Sequence, residues 1–155
     1  MKKSEVLKRT DLFRDLDDEQ IALMEKMCTA REFAAGTVIN KQGATAENTY
    51  VIEEGLVGII LEVGPLAQRQ VQTAANFETF GWSAMIEPYI STATVKALEK
   101  TKVFAFNGRE LCGLCNHDPE MGCKICRSVA RVIAERLRQA YIQLLGVTHQ
   151  DCPYP

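Results

Sequence analysis

Thr79-Phe80-Gly81-Trp82-Ser83-Ala84-Met85-Ile86-Glu87-Pro88-Tyr89-Ile90-Ser91-Thr92-Ala93-Thr94-Val95-Lys96-Ala97 is the stretch that decides the fold. It divides in two. Phe80-Gly81 closes a strand, and residues 82–86 read as one short helical turn. Pro88 removes a backbone donor and stops the helix. Residues 92–97 then alternate as a strand does. A glycine leading into a helical turn leaves backbone N–H groups free at one point, a natural seat for an anion.

Outward from this stretch, residues 31–106 read as short strands broken at Gly36, Gly43 and Gly55, where positive φ is cheap. Tyr50-Val51-Ile52 and Leu56-Val57-Gly58-Ile59-Ile60-Leu61 are two of them. Gly64-Pro65 makes a turn into the polar residues 66–78. Val103-Phe104-Ala105-Phe106 is apolar throughout, as a strand covered on both faces must be. Strands at this spacing predict a sandwich or barrel.

Helices are expected at both ends. Residues 4–30 read as helical, with Asp17 as N-cap and Gln20 completing a capping box. Ile21, Leu23, Met24, Met27 and Cys28 supply the apolar face. Near the other end, Asn107 caps a short helix over 109–115. Asp118-Pro119-Glu120 then opens a long helix that runs to about Leu145 and stops at Gly146. Cys126, Ala130, Ile133, Leu137, Ala140 and Leu144 follow a four-three alternation along it, the seam of a coiled coil. Val129 and Val132 face elsewhere. A helix apolar on two sides must bury two sides, so a homodimer through residues 119–145 is expected.

The set Leu12-Phe13-x-x-Leu16, Gly36, Gly43, Tyr50-x-Ile52, Gly55, Phe80-Gly81 and Ala93-Thr94-Val95 resembles the cyclic-nucleotide-binding domains of the catabolite-activator (Crp/Fnr-like) superfamily, over roughly residues 10–145. The resemblance implies an α+β fold. Its body is a jelly-roll-like β-roll, or double-stranded β-helix, with N-terminal helices and a long C-terminal dimerisation helix. It implies one domain over 1–155 with a tail over 146–155; the family's transcription factors continue with a DNA-binding helix-turn-helix, for which the residues after the long helix leave no room, so none is expected. It also makes residues 79–97 the phosphate-binding cassette.

The cassette departs from the family pattern. The glutamate that takes the ribose hydroxyl is Trp82 here, and the arginine that takes the cyclic phosphate is Ser91. Family positions on the long helix that touch the base fall at about Arg136 and Leu137, which makes Arg136 a candidate replacement cation. The candidate ligand residues are Phe80, Gly81, Trp82, Ser83, Ala84, Ser91, Thr92, Ala93 and Arg136. Trp82 either stacks on a planar ligand or fills the pocket. The expected ligand is an unknown small molecule rather than cyclic AMP or cyclic GMP.

Cys112-x-x-Cys115 and Cys123-x-x-Cys126 put four cysteines into a short span. That spacing suits zinc or an iron–sulfur cluster. Cysteine is equally a small core residue. The expectation is reduced thiols with Cys115 and Cys126 buried, and a metal or redox protein on a β-roll scaffold is the alternative. His117 and His149 are the two histidines, and neither they nor any carboxylate pair forms a recognisable catalytic arrangement, so no enzyme is expected. The chain has 155 residues, is 46% hydrophobic and carries net charge −2, which suits a cytoplasmic globular domain and offers no basic field for nucleic acid. No apolar run nears the ~20 residues of a membrane span. The output is expected to pass to an unknown partner protein.

Overall fold

The computed structural model of the protein describes residues 1–146. The expected tail beyond Gly146, with His149 and Cys152, lies outside the described residues. The chain opens with α1 (Lys3–Arg9) and α2 (Asp18–Met27). The capping box forms: Gln20 N donates to Asp17 Oδ1 at 2.9 Å and Asp17 N to Gln20 Oε1 at 3.0 Å. The helical reading over 4–30 holds as two separate pieces, except that Thr29 and Ala30 belong to a strand and the first piece stops at Arg9. Thr10 ends that piece, because its hydroxyl donates to Leu7 O at 2.7 Å and accepts from Phe13 N at 3.3 Å, closing the chain into turns.

Eight strands follow: β1 (Thr29–Phe33), β2 (Val38–Asn40), β3 (Asn48–Glu54), β4 (Leu56–Gly64), β5 (Ala67–Ala75), β6 (Thr79–Phe80), β7 (Thr94–Ala97) and β8 (Thr101–Asn107). They form two four-stranded antiparallel sheets, ordered β1-β8-β3-β6 and β2-β7-β4-β5. This is the expected jelly-roll-like α+β architecture. The strand expected from Thr92 begins at Thr94 instead. Ser91 is already committed to a loop, donating its N–H to Ala44 O and accepting from Gly43 N, both at 2.9 Å. The polar stretch 66–78 becomes β5, which pairs with β4 along its length.

Strand alternation explains the two cores. On β3 and β8, Tyr50, Ile52, Val103 and Ala105 face the second sheet and pack with Val57, Ala74, Phe80 and Val95. The alternate residues Val51, Phe104 and Phe106 face the helices, against Leu12, Phe13, Leu16, Met24 and Ile125. β8 is thus buried on both faces, as its composition requires.

The last strand leads into α3 (Gly108–His117), and α4 (Pro119–Leu145) follows. The Asn107 side chain accepts from Arg109 N and Glu110 N at 3.0 and 3.1 Å, and Asp118 Oδ1 accepts from Met121 N at 3.2 Å. Gly146, at φ 63°, ends α4. Ile125, Val129 and Val132 bury one side of α4 against the domain. The seam lies on another side: Leu137 is 48% exposed and Leu144 82%. Cys126 is exposed, not buried as expected, at the rim of a small cavity between α3 and α4 that leaves it open to solvent. Among the described residues no helix is long and apolar enough to cross a membrane.

Candidate functional site

The cassette is built on one glycine and seated on another. Gly81 follows β6 at φ 75°, and a Cβ there would lie 2.9 Å from Asn48 O. A side chain at this position would be both strained and crowded. The turn it opens, Trp82–Met85, is a 3-10 helix. Thr49 Oγ1 donates to Gly81 O at 3.1 Å and fixes the entry. Beneath, Gly108 lets α3 approach the turn at backbone distance, because a Cβ on it would lie 2.2 Å from Ala84 O.

A cavity of about 220 Å³ opens beside this turn. Phe80, Gly81, Trp82, Ser83, Ser91, Thr92 and Ala93 line it from the cassette, and Arg136 reaches in from α4. Eight of the nine sequence-predicted residues are therefore brought together. Ala84 is not among them: it is buried and packs on Gly108. Leu137 also stays outside, half exposed on the seam. The sequence reading missed Asn40, Ile59, Leu61, Val71, Gln72, Thr79, Val95 and Ala140, which complete the wall. A signal existed for some of them. Ile59 and Leu61 share a strand face by their spacing, and Ala140 lies one helical turn beyond Arg136. Asn40 and Gln72 carried none, since strand pairing alone brings them here.

The cavity wall is apolar with a few amides and hydroxyls. Among the described residues Arg136 is the one charged side chain lining it, and its side chain is 13% exposed. Its guanidinium donates to Thr73 O at 2.9 Å and to Thr79 O at 3.5 Å, with Glu78 Oε2 4.0 Å away. In return Gln72 Nε2 donates to Arg136 O at 2.9 Å, and Gln143 donates to Val71 O. These bonds fasten α4 along β5. Behind Thr79 lies Asp11, which accepts from the Thr79 hydroxyl and from its N–H at 3.3 Å. Burial pushes the Asp11 carboxyl above its usual value, against the opposing pull of Thr79 and Arg136. The lining residues hold no carboxylate and no nucleophile–base pair. The arrangement can bind, orient and respond, with Arg136 as its fixed positive point.

The four clustered cysteines do not converge. Cys112, Cys115 and Cys126 line a second cavity, while Cys123 is exposed and accepts from Arg127 Nη2 at 3.7 Å. Among the described residues no group of three or more histidines, cysteines or acids is placed to hold a metal ion. The zinc or iron–sulfur alternative therefore has no support. Burial, with Cys126 and Cys112 nearby, pushes the Cys115 thiol up to about 12.

The family model for the cyclic nucleotide-binding domain matches residues 30–118. A Rhodopseudomonas palustris protein assigned as a potassium channel is 31% identical over 117 residues, which is 76% of this chain and 28% of that protein. A structure from Geobacter metallireducens, assigned as a cyclic nucleotide-binding protein, is 26% identical with a TM-score of 0.77. That match covers 88% of this chain and 99% of the other. The N-terminal domain of a transcriptional regulator from Streptomyces coelicolor is 29% identical with a TM-score of 0.70, covering 91% of this chain and 94% of the other. The chain thus spans less than a third of the length of the channel relative.

Proposed function

This chain belongs to the cyclic nucleotide-binding domain family, and from that premise we propose that it is a ligand-sensing regulatory module whose cassette takes a small molecule other than a standard cyclic nucleotide. The observation that carries the reading is the cavity of about 220 Å³ that stays open beside Trp82, with Arg136 in its wall. Trp82 stands where the family pattern has the ribose glutamate, and Ser91 where it has the phosphate arginine. An indole N–H donates and accepts nothing, so the sugar hydroxyls lose their acceptor. A serine hydroxyl carries no charge, so the phosphate loses a bidentate, charge-assisted partner. What remains suits a flat, largely apolar molecule with one anionic group facing Arg136.

The same geometry supplies a response. An anion at Arg136 competes with Thr73 O and Thr79 O for the guanidinium, and those bonds help hold α4 on β5. Ligand binding then biases the position of α4 through its differential contacts in the two states. The exposed seam of Leu137, Ala140 and Leu144 docks on a second copy, and the dimer passes the change to a partner protein. The module regulates and does not catalyse.

Native mass spectrometry of freshly purified protein tests the reading. A non-covalent extra mass on the wild type that is lost in Ala93→Phe, which fills the cavity, is the expected result. The same bound mass on both proteins contradicts it.

A further inference from the structure

A cavity of about 140 Å³ lies against the end of the cassette turn, lined by Met85, Ile86, Cys112, Cys115, Cys126 and Val129. α3 supplies two of its thiols and α4 one. The two helices meet at backbone distance there, since a Cβ on Gly122 would lie 2.3 Å from Cys115 O. Cys126 stands one turn beyond Gly122 on the same face of α4. Cys115 and Cys126 thus face the same small cavity from two helices in backbone contact. The two sulfurs differ in access: Cys126 is exposed and Cys115 half-buried. The other two thiols are engaged elsewhere. Cys112 Sγ donates to Met85 O at 3.4 Å, and Cys123 faces Arg127.

We infer that Cys115 and Cys126 form a reversible dithiol switch, closed into a disulfide between α3 and α4 by exchange with a small-molecule disulfide of the glutathione class. The exposed Cys126 loses its proton to solvent and attacks one sulfur of that disulfide. The S–S bond breaks, one thiolate leaves and takes up a proton, and a mixed disulfide stands on Cys126. Cys115 then loses its proton, attacks the Cys126 sulfur and expels the second small thiolate, which is protonated in turn. Two protein thiols and one disulfide become one protein disulfide and two small thiols. The order follows access, since the exposed sulfur meets the oxidant and the buried one resolves it. Burial keeps Cys115 protonated and slows the second step at neutral pH, and the step quickens as rising pH supplies more thiolate.

The bond would tie the first turns of α4 to α3, the helix on which the cassette turn rests through Gly108. The inference goes beyond the ligand reading and does not rest on it. Its test is disulfide mapping of the whole chain after equilibration in oxidised and reduced glutathione, with free thiols alkylated before digestion. The expected result is a cross-linked pair of peptides holding Cys115 and Cys126, lost on return to reduced glutathione. Cys115→Ser should trap glutathione on Cys126, and Cys123→Ser should leave the cross-link intact. A cross-link through Cys28, Cys112, Cys123 or Cys152, a bond between two chains, or persistent free thiols at Cys115 and Cys126 would overturn the inference. The wild-type map decides the matter even if a variant fails to fold.

Discussion

Gly108→Ala should destabilise the protein, whereas Gly113→Ala, on the same helix, should stabilise it. The new methyl carbon at Gly108 would lie 2.2 Å from Ala84 O, 2.6 Å from Ala84 C and 2.7 Å from Ala84 Cβ. All three belong to the buried floor of the cassette turn, so no flexible side-chain end can swing aside. Overpacking of this kind costs about 1–3 kcal/mol. At Gly113 a Cβ meets nothing within 4 Å. There the substitution keeps its helix-propensity gain of about 0.8–1 kcal/mol. The two variants should therefore differ by about 2–4 kcal/mol, or roughly 4–16 °C in melting temperature at ~2–4 °C per kcal/mol for a domain near this size. Urea denaturation with an unchanged slope, read beside a thermal melt, measures the difference. If Gly108→Ala melts at or above the wild type, the close seat of the cassette on α3 is wrong, and with it the route from the turn to the helices.

Other consequences follow from the same contacts. Leu137→Glu puts a charge on the exposed seam and removes about 1 kcal/mol of apolar burial per copy, so light scattering should report a dimer for the wild type and a monomer for the variant; a monomeric wild type contradicts the docking reading. Burial raises the Asp11 carboxyl above 3.8, so its protonated form is favoured by folding, and its contribution is full below that value and lost as pH rises through the raised one. Asp11→Asn should accordingly gain stability relative to the wild type as pH climbs from 4 to 7 in urea titrations, and a constant difference would remove burial as the cause. Cys115, pushed up to about 12, should be the last of Cys115, Cys123 and Cys126 to take a maleimide at pH 8; equal rates would show that its burial is transient.

Much of the fold was legible because its signals are local. The capping box at Asp17, the cap at Asn107, the Asp118-Pro119 start and the doubly apolar run at Val103 to Phe106 each follow from short-range chemistry, and each appears where expected. The errors arose where one side chain or one backbone overrides a pattern. Thr10 uses its hydroxyl to end α1, although the apolar spacing continues past it. Ser91 gives its backbone to the Gly43–Ala44 loop, which delays β7 by two residues. Cys126 was expected to be buried because its seam was read as already paired.

The candidate site was legible along the cassette and dark across it. Phe80 to Ser83 and Ser91 to Ala93 are contiguous, so one motif finds them together. Ala84 belongs to the same run, but 3-10 winding turns it toward α3. Asn40 and Gln72 arrive through the pairing of β2 with β7 and of β5 with β4, which no local spacing encodes. Arg136 was found by its position on the long helix. Its engagement with Thr73 O and Thr79 O was not, because a carbonyl acceptor leaves no mark on the sequence.

The central claim is that the cavity is open and built like a nucleotide site, yet lacks the two contacts that hold a cyclic nucleotide. The lost charge-assisted hydrogen bond alone is worth about 1.5–3 kcal/mol, at ~1.4 kcal/mol for each tenfold in affinity. Calorimetric titration with cyclic AMP and cyclic GMP, run on the wild type and on the double variant Trp82→Glu with Ser91→Arg, tests the claim most directly. The account predicts no heat of binding for the wild type at micromolar nucleotide and measurable binding for the double variant. Micromolar binding by the wild type would contradict it, as would a folded double variant that remains silent.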